Sequence, residues 1–256
     1  MTTDSSTLKE DAARVGVSGE VLEFLRAQHI HFMLPMYGGM CSHTTFSSMM
    51  AFSVLASKLG MNWTVDIVSN ESLITRGRNT LIAKFMVNEK ATHAMFIDVD
   101  LAFDPNSILK LLLNNQDVVG GVYPAKCLPT QYVVNTVPNA RQLTDDLVEV
   151  STIGTGFLLI KRHVIEKMIA AHQHLKYNDG QGLGEETAKY VYALFDTMID
   201  ENGNYLSEDW TFCWRWRKMG GHVMANINLK IDHNGNHTFS GDADKLREHV
   251  LAKTGG

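Results

Sequence analysis

Two aspartates one residue apart, Asp98 and Asp100 in the stretch MFIDVD, follow a run of apolar residues that points toward an interior. Desolvating a carboxylate costs free energy unless it is paired, so this placement asks for a positive charge between the two. Residues two apart in a strand project to the same side, and the pair is expected to converge where the strand leaves its sheet. Oxygen ligands of this kind suit Mg²⁺ or Mn²⁺, which keep positions open for water or substrate phosphates. The plain alternative is that the pair caps a turn. In ITRGRNTLIAKF, Arg76, Arg78 and Asn79 stand near an expected helix start, where guanidinium forks and backbone amides match phosphate oxygens. In LSEDWTFCWRWRKMGG, Ser207 is placed to cap a helix whose first turn holds Glu208 and Asp209, where the helix dipole favours negative charge.

The elements that must position these residues alternate. Ser18 caps a short helix over 18–28, and IHFMLPMYGG reads as a strand stopped by Pro35 and a glycine pair. A helix over 43–59 follows, then the strand WTVDIVSN ending at Asn70, the arginine-bearing helix and the strand HAMFIDVD. Pro105 opens a helix through about Leu113, DVVGGVY is a fourth strand, and EVSTIGTGFLLIKRHVIEKMIAAH reads as a strand running into a helix. Residues 175–206 are irregular and glycine-bearing, a candidate mobile flap. The helix from Ser207, the strand and turn HVMANINLKIDHNG and a last helix DADKLREHVLAK complete the chain. Alternation of this kind predicts an α/β fold with a mostly parallel central sheet, helices on both faces and ligands at the carboxyl ends of its strands.

With 256 residues, 45% hydrophobic and 20% charged, the composition is that of an ordinary globular chain. A formal charge of -5 speaks against broad electrostatic binding of nucleic acid. Cys41, Cys127 and Cys213 are widely spaced and form no CxxC pair, as expected of free thiols in a reducing compartment. The N-terminal stretch lacks the apolar core of a signal peptide and no run reaches the ~20 residues of a membrane helix, so a cytoplasmic location is expected.

From about residue 30 to residue 241 the order of these segments resembles the GT-A class of nucleotide-sugar glycosyltransferases, family 2-like and small viral or phage enzymes among them. The resemblance implies a GT-A fold, Rossmann-like with a small antiparallel addition near the C-terminal half. It divides the chain into a helical extension at 1–28 and one domain at 29–256, with a nucleotide-binding half at 29–125 and an acceptor-side half at 126–256. It further implies a nucleoside diphosphate sugar donor, a UDP-sugar favoured, and Mn²⁺ or Mg²⁺ as cofactor. On that basis Pro35, Met36, Tyr37, Asn70, Arg76, Asn79, Asp98 and Val99 are expected on the nucleotide. Lys126, Gly154, Thr155, Gly156 and Trp210 are expected on donor or acceptor sugar. Asp98, Asp100 and His233 are the expected metal ligands, with His237 as a second histidine and Asp232 orienting the imidazole.

By the same resemblance Asp209 takes the proton of the acceptor hydroxyl, and Glu208 orients it or binds the acceptor. The acceptor itself, whether glycan, lipid, protein or modified nucleobase, stays open. A phosphohydrolase with DxD at a strand end is the weaker reading, because Leu101 stands where that family carries Thr or Val. A nucleotidyltransferase would carry an arginine in PMYGGMCSH, which has none. A GT-A-like module that binds nucleotide or glycan without turnover is the alternative from another class.

Overall fold

The computed structural model describes residues 12–13, 16–180 and 182–254. Most of the polar N-terminal stretch read from the sequence lies outside them.

The first helix, α1 (Gly19–Ala27), starts where expected: Ser18 Oγ accepts the Val21 N–H at 3.2 Å, and Leu22 and Leu25 are buried. Strand β1 (His29–Met36) leads through a tight turn at Tyr37–Gly39 into α2 (His43–Leu59). Ser42 caps that helix, and Gly60 ends it in the left-handed region at φ 69°. Then come β2 (Asn62–Ser69), α3 (Ile74–Val87), β3 (His93–Ile97), β4 (Leu101–Phe103), α4 (Asn106–Asn114) and β5 (Val118–Gly121).

The following stretch carries no helix until four strands have formed: β6 (Val134–Thr136), β7 (Gln142–Thr144), β8 (Leu147–Ile153) and β9 (Phe157–Lys161). Thereafter come α5 (Arg162–Ala171), the short α6 (Glu185–Ala188), the hairpin β10 (Met198–Ile199) and β11 (Tyr205–Leu206), and α7 (Glu208–Lys218). The chain continues through β12 (Val223–Asn226), β13 (Ile231–Asn234) and β14 (Thr238–Phe239) to α8 (Ala243–Thr254).

The main sheet runs β2-β1-β3-β9-β5-β12-β8-β6, with β7 also on β8. Helices α1, α2 and α4 bury Leu22, Phe52 and Leu111 on one face, while α3, α5, α7 and α8 bury Phe85, Ile165, Phe212 and Leu246 on the other. This is a mixed α/β architecture consistent with a GT-A-like Rossmann-type fold. The antiparallel share is larger than expected. Strand β1 is parallel to β2 and β3, and β5 to β12, but β9 is antiparallel to β3 and β5, and β8 to β12, β6 and β7. Parallel neighbours need a long crossover, usually a helix, and the chain between β5 and β9 has none. Because β9 lies between β3 and β5, the two expected halves share one sheet.

Two readings of single segments change. The stretch EVSTIGTGFLLIK is two strands, β8 and β9, separated at Gly154–Gly156, and HVMANINLKIDHN is likewise two, β12 in the main sheet and β13 in a separate three-stranded sheet with β4 and β14. The candidate flap is also anchored in its middle. Leu194 and Phe195 are fully buried, Phe195 stacks on Phe212 at 4.4 Å, and Arg215 Nη1 donates to the carbonyls of Ala193 and Leu194 at 2.5 and 2.8 Å.

Candidate active site

The strand carrying the aspartates stops at Ile97. Residues 98–100 form a turn in which the Leu101 N–H donates to the Asp98 carbonyl at 3.2 Å, before β4 begins. Asp98 and Asp100 therefore do not share one side of a strand, and the two carboxylates part. Asp98 turns to Arg78, whose Nη2 donates to Oδ1 at 3.2 Å and to Oδ2 at 3.5 Å. Asp100 turns instead to Lys126 Nζ, which donates to its Oδ2, and to His233, whose Nε2 lies 3.4 Å from Oδ1.

Histidine 233 arrives by strand pairing. Strand β13 runs antiparallel to β4 with His233 opposite Leu101, and the Asn234 N–H donates to the Asp100 carbonyl at 2.8 Å. Its Nδ1 lies 2.8 Å from the Pro124 carbonyl, which can only accept, so Nδ1 carries a proton and Nε2 is the nitrogen that faces Asp100. An imidazole nitrogen and a carboxylate oxygen that face each other are groups a divalent cation can take as ligands. Orientation of a ligand imidazole through a backbone carbonyl is a usual outer-shell arrangement at metal sites. Asp232, expected in that role, points the other way, as neighbours in a strand do, and accepts the Gly241 N–H at 2.9 Å.

Among the described residues no group of three or more His, Cys, Asp or Glu side chains gathers to hold a metal. The expected triad of Asp98, Asp100 and His233 is thus not assembled, because Arg78 takes Asp98. His237 is exposed on the turn between β13 and β14, with its ring edge-on to Phe239, and does not supply the missing ligand. Asp100 and His233 would supply two ligands to a divalent ion of the kind that takes most of its ligands from water and phosphate.

Arg78 is the centre of the second cluster. Its side chain is 5% exposed, its Nε donates to Glu208 Oε1 at 3.4 Å, its guanidinium carbon lies 5.4 Å from the centroid of the Phe96 ring, and Nη1 is buried without a partner. Burial works against the charge, but Asp98 and Glu208 outweigh it and hold the guanidinium charged more firmly than usual. Position along the helix separates the two arginines: α3 is buried continuously from Gly77 to Ala83, which includes Arg78, whereas Arg76 in the first turn is half-buried and forms a two-armed pair with Glu71 at 2.6 and 2.9 Å.

Asn79, expected on the nucleotide, is buried, and its amide brackets Phe195 from α3: Nδ2 donates to the Phe195 carbonyl at 2.8 Å and Oδ1 accepts the Phe195 N–H at 2.9 Å. Those bonds use its polar groups to hold the core, which removes it from the candidate ligand contacts.

Asp209 opens α7 beside this cluster. Ser207 does not cap the helix with its side chain; its hydroxyl donates to Asp209 Oδ1, which also accepts the Trp210 N–H at 2.8 Å. Oδ2 is left for another proton. Burial pushes this carboxyl above its ordinary range, the Ser207 hydrogen bond opposes that and Glu208 adds to it.

Small residues make room around the cluster. The Asp98 N–H donates to the Gly156 carbonyl at 2.8 Å, and the Gly156 N–H donates to the Tyr123 hydroxyl at 3.0 Å. A Cβ on Gly156 would stand 2.6 Å from Asp98 Oδ2, and one on Gly154 would stand 2.4 Å from the Tyr123 hydroxyl. Thr155 between them is buried, with its hydroxyl unpartnered. Burial, aided by Asp98, raises the Tyr123 phenol and keeps it protonated.

The remaining expected residues stand around the same sheet end or beside it. Pro35 and Met36 end β1, Tyr37 is 68% exposed in the turn that follows, and Asn70 leaves β2 in the left-handed region at φ 60°. The Val99 carbonyl accepts the Ser42 N–H at 2.8 Å. Trp210 lines a cleft of about 520 Å³ with Tyr132, Asn135 and His249. No helix among the described residues is long and apolar enough to cross a membrane.

No family model and no curated protein matches the chain. Among solved structures, it is similar over 84% of its length to 94% of A197 from STIV, at 18% identity and a TM-score of 0.47. It is similar over 80% of its length to 43% of GalNAc-T7 with UDP, GalNAc and Mn²⁺, at 7% identity and a TM-score of 0.41. A glycosyltransferase involved in the glycosylation of the major capsid of PBCV-1 is matched over 86% of this chain and 98% of that one, at 10% identity and a TM-score of 0.32.

Proposed function

We propose that this chain is a divalent-metal-dependent glycosyltransferase that moves a sugar from a nucleoside diphosphate sugar to an acceptor hydroxyl. The observation that carries the reading is the meeting of Asp98, Asp100, Glu208, Asp209 and His233, from distant parts of the chain, around Arg78 and Lys126 at one end of the sheet. Asp209 receives the acceptor proton on Oδ2, its raised affinity for a proton making it a better base than a solvated carboxylate. Arg78 bridges Glu208 and Asp98 and keeps both in place near that base. Gly154 and Gly156 let Tyr123 and the Asp98 carboxylate pack against their backbone, which fixes Asp98 beside the donor, and Trp210 offers an aromatic face beside the cleft for the acceptor. The exposed Tyr37 with Pro35, Met36 and Asn70 faces the base, a uridine favoured, and Arg76 supplies charge near the phosphates. Asp100 and His233 would hold Mn²⁺ or Mg²⁺, which when bound neutralises charge on the departing diphosphate.

The test is a panel of nucleotide sugars with Mn²⁺, following hydrolysis and transfer for the wild type and Asp209→Asn. Turnover of one donor, lost in the variant, supports the reading. Nucleotide binding without turnover across the panel would replace it with a non-catalytic binding module.

A further inference from the structure

The loop after β5 acts on the Asp100–His233 pair twice. The Pro124 carbonyl fixes the imidazole, and two residues later the Lys126 ammonium sits on the Asp100 carboxylate. The lysine stem passes over Gly235 in the β13–β14 turn, where an added Cβ would stand 3.3 Å from Lys126 Cδ. The two side chains are 40% and 35% exposed, so the ion pair is partly solvated and inexpensive to open. A cation carried by the chain therefore occupies the carboxylate that the divalent ion needs.

We propose that Lys126 couples metal binding to diphosphate binding: it holds Asp100 in the free protein and passes to a phosphate oxygen when the donor arrives, releasing Asp100 to the ion. The inference rests on the metal-dependent reading above. Charge balance carries it further. Asp100 and Lys126 together are neutral; a divalent ion alone leaves this pair with two unbalanced positive charges, which a diphosphate ester balances. Lys126 thereby opposes the ion in the absence of a diphosphate and assists the diphosphate in the absence of the ion.

Lys126→Met keeps the stem and removes the charge at an exposed position. Mn²⁺ affinity without nucleotide is read from the paramagnetic resonance of free Mn²⁺, and UDP affinity in EDTA by calorimetry. The variant is expected to bind Mn²⁺ about tenfold more tightly and UDP about tenfold more weakly, within the usual range of coupling between sites. A purely structural lysine would lower both affinities, and that result, or unchanged Mn²⁺ binding, overturns the proposal while leaving the metal reading intact. Absence of Mn²⁺ binding in both proteins, with UDP present as well, overturns the metal reading and this proposal with it.

Discussion

Asp209→Asn should leave the protein more stable and less active, and the two effects come from one feature. Both hydrogen bonds to the Asp209 side chain, from the Ser207 hydroxyl and the Trp210 N–H, land on Oδ1. An asparagine with its oxygen in that position accepts both. What the substitution removes is the second oxygen and the negative charge, and burial is the largest cause of the raised proton affinity of this carboxyl. Replacing a charge that is costly at neutral pH by an isosteric amide should stabilise by about 1 kcal/mol, within the ordinary range for relief at functional sites. In a domain of this size that is a rise in Tm of roughly 2–4 °C. Transfer should fall by about 10²–10⁴, the contribution typical of a general base.

The pH dependence fixes the cause. An acid whose folded-state pKa is raised binds more proton in the folded than in the unfolded chain, so wild-type stability falls as pH climbs from the ordinary carboxylate value through the raised one. The advantage of the variant is therefore absent below about pH 4, grows through that window and is complete above it. Urea unfolding of both proteins across the range measures it. A variant no more stable than wild type at about pH 8, or one whose advantage persists unchanged in acid, would refute the reasoning.

Three other substitutions probe the frame around the base. Arg78→Leu leaves Asp98 and Glu208 facing each other without their shared cation and should cost about 3 kcal/mol in urea unfolding, partly restored by adding Glu208→Gln. Asn79→Ala strands the N–H and carbonyl of Phe195 and should cost about 2–3 kcal/mol, with faster amide exchange at Phe195 as the local signature. Gly156→Ala drives a methyl against Asp98 Oδ2 and the Tyr123 hydroxyl; it should lower kcat on the order of 100-fold while costing about 1–3 kcal/mol in stability.

Local signals carried much of the order of elements. Ser18 and Ser42 cap helices as their chemistry dictates, Gly60 ends α2, and the apolar run before Asp98 is a fully buried strand. What the sequence left unread depends on contacts between distant segments. Nothing near Asn79 announces Phe195, and the amide that looks suited to a phosphate is spent on a loop 116 residues away. Arg76 and Arg78 are alike in type and helical spacing does not separate them, since Thr80 and Ala83 behind Arg76 are as buried as Ile82 and Phe85 behind Arg78; the depth at which α3 enters the core does, and that is set by distant segments. The expected convergence of Asp98 and Asp100 is lost for a local reason: a turn after Ile97 breaks the strand period.

That turn also explains why two aspartates so close in sequence serve different partners. It ends in β4, a three-residue strand with little stability of its own, which holds its place by pairing with β13 and thereby brings His233 to Asp100. On the near side of the turn Asp98 stays in register with the main sheet through the Gly156 carbonyl and meets Arg78 from α3. Each carboxylate thus has its own counter-cation, Arg78 buried and fixed, Lys126 exposed and displaceable. A buried guanidinium suits a permanent structural charge, whereas a solvated ammonium on a flexible stem suits one that must move. The division of labour lies in the burial of the two cations, not in the two aspartates that drew attention first.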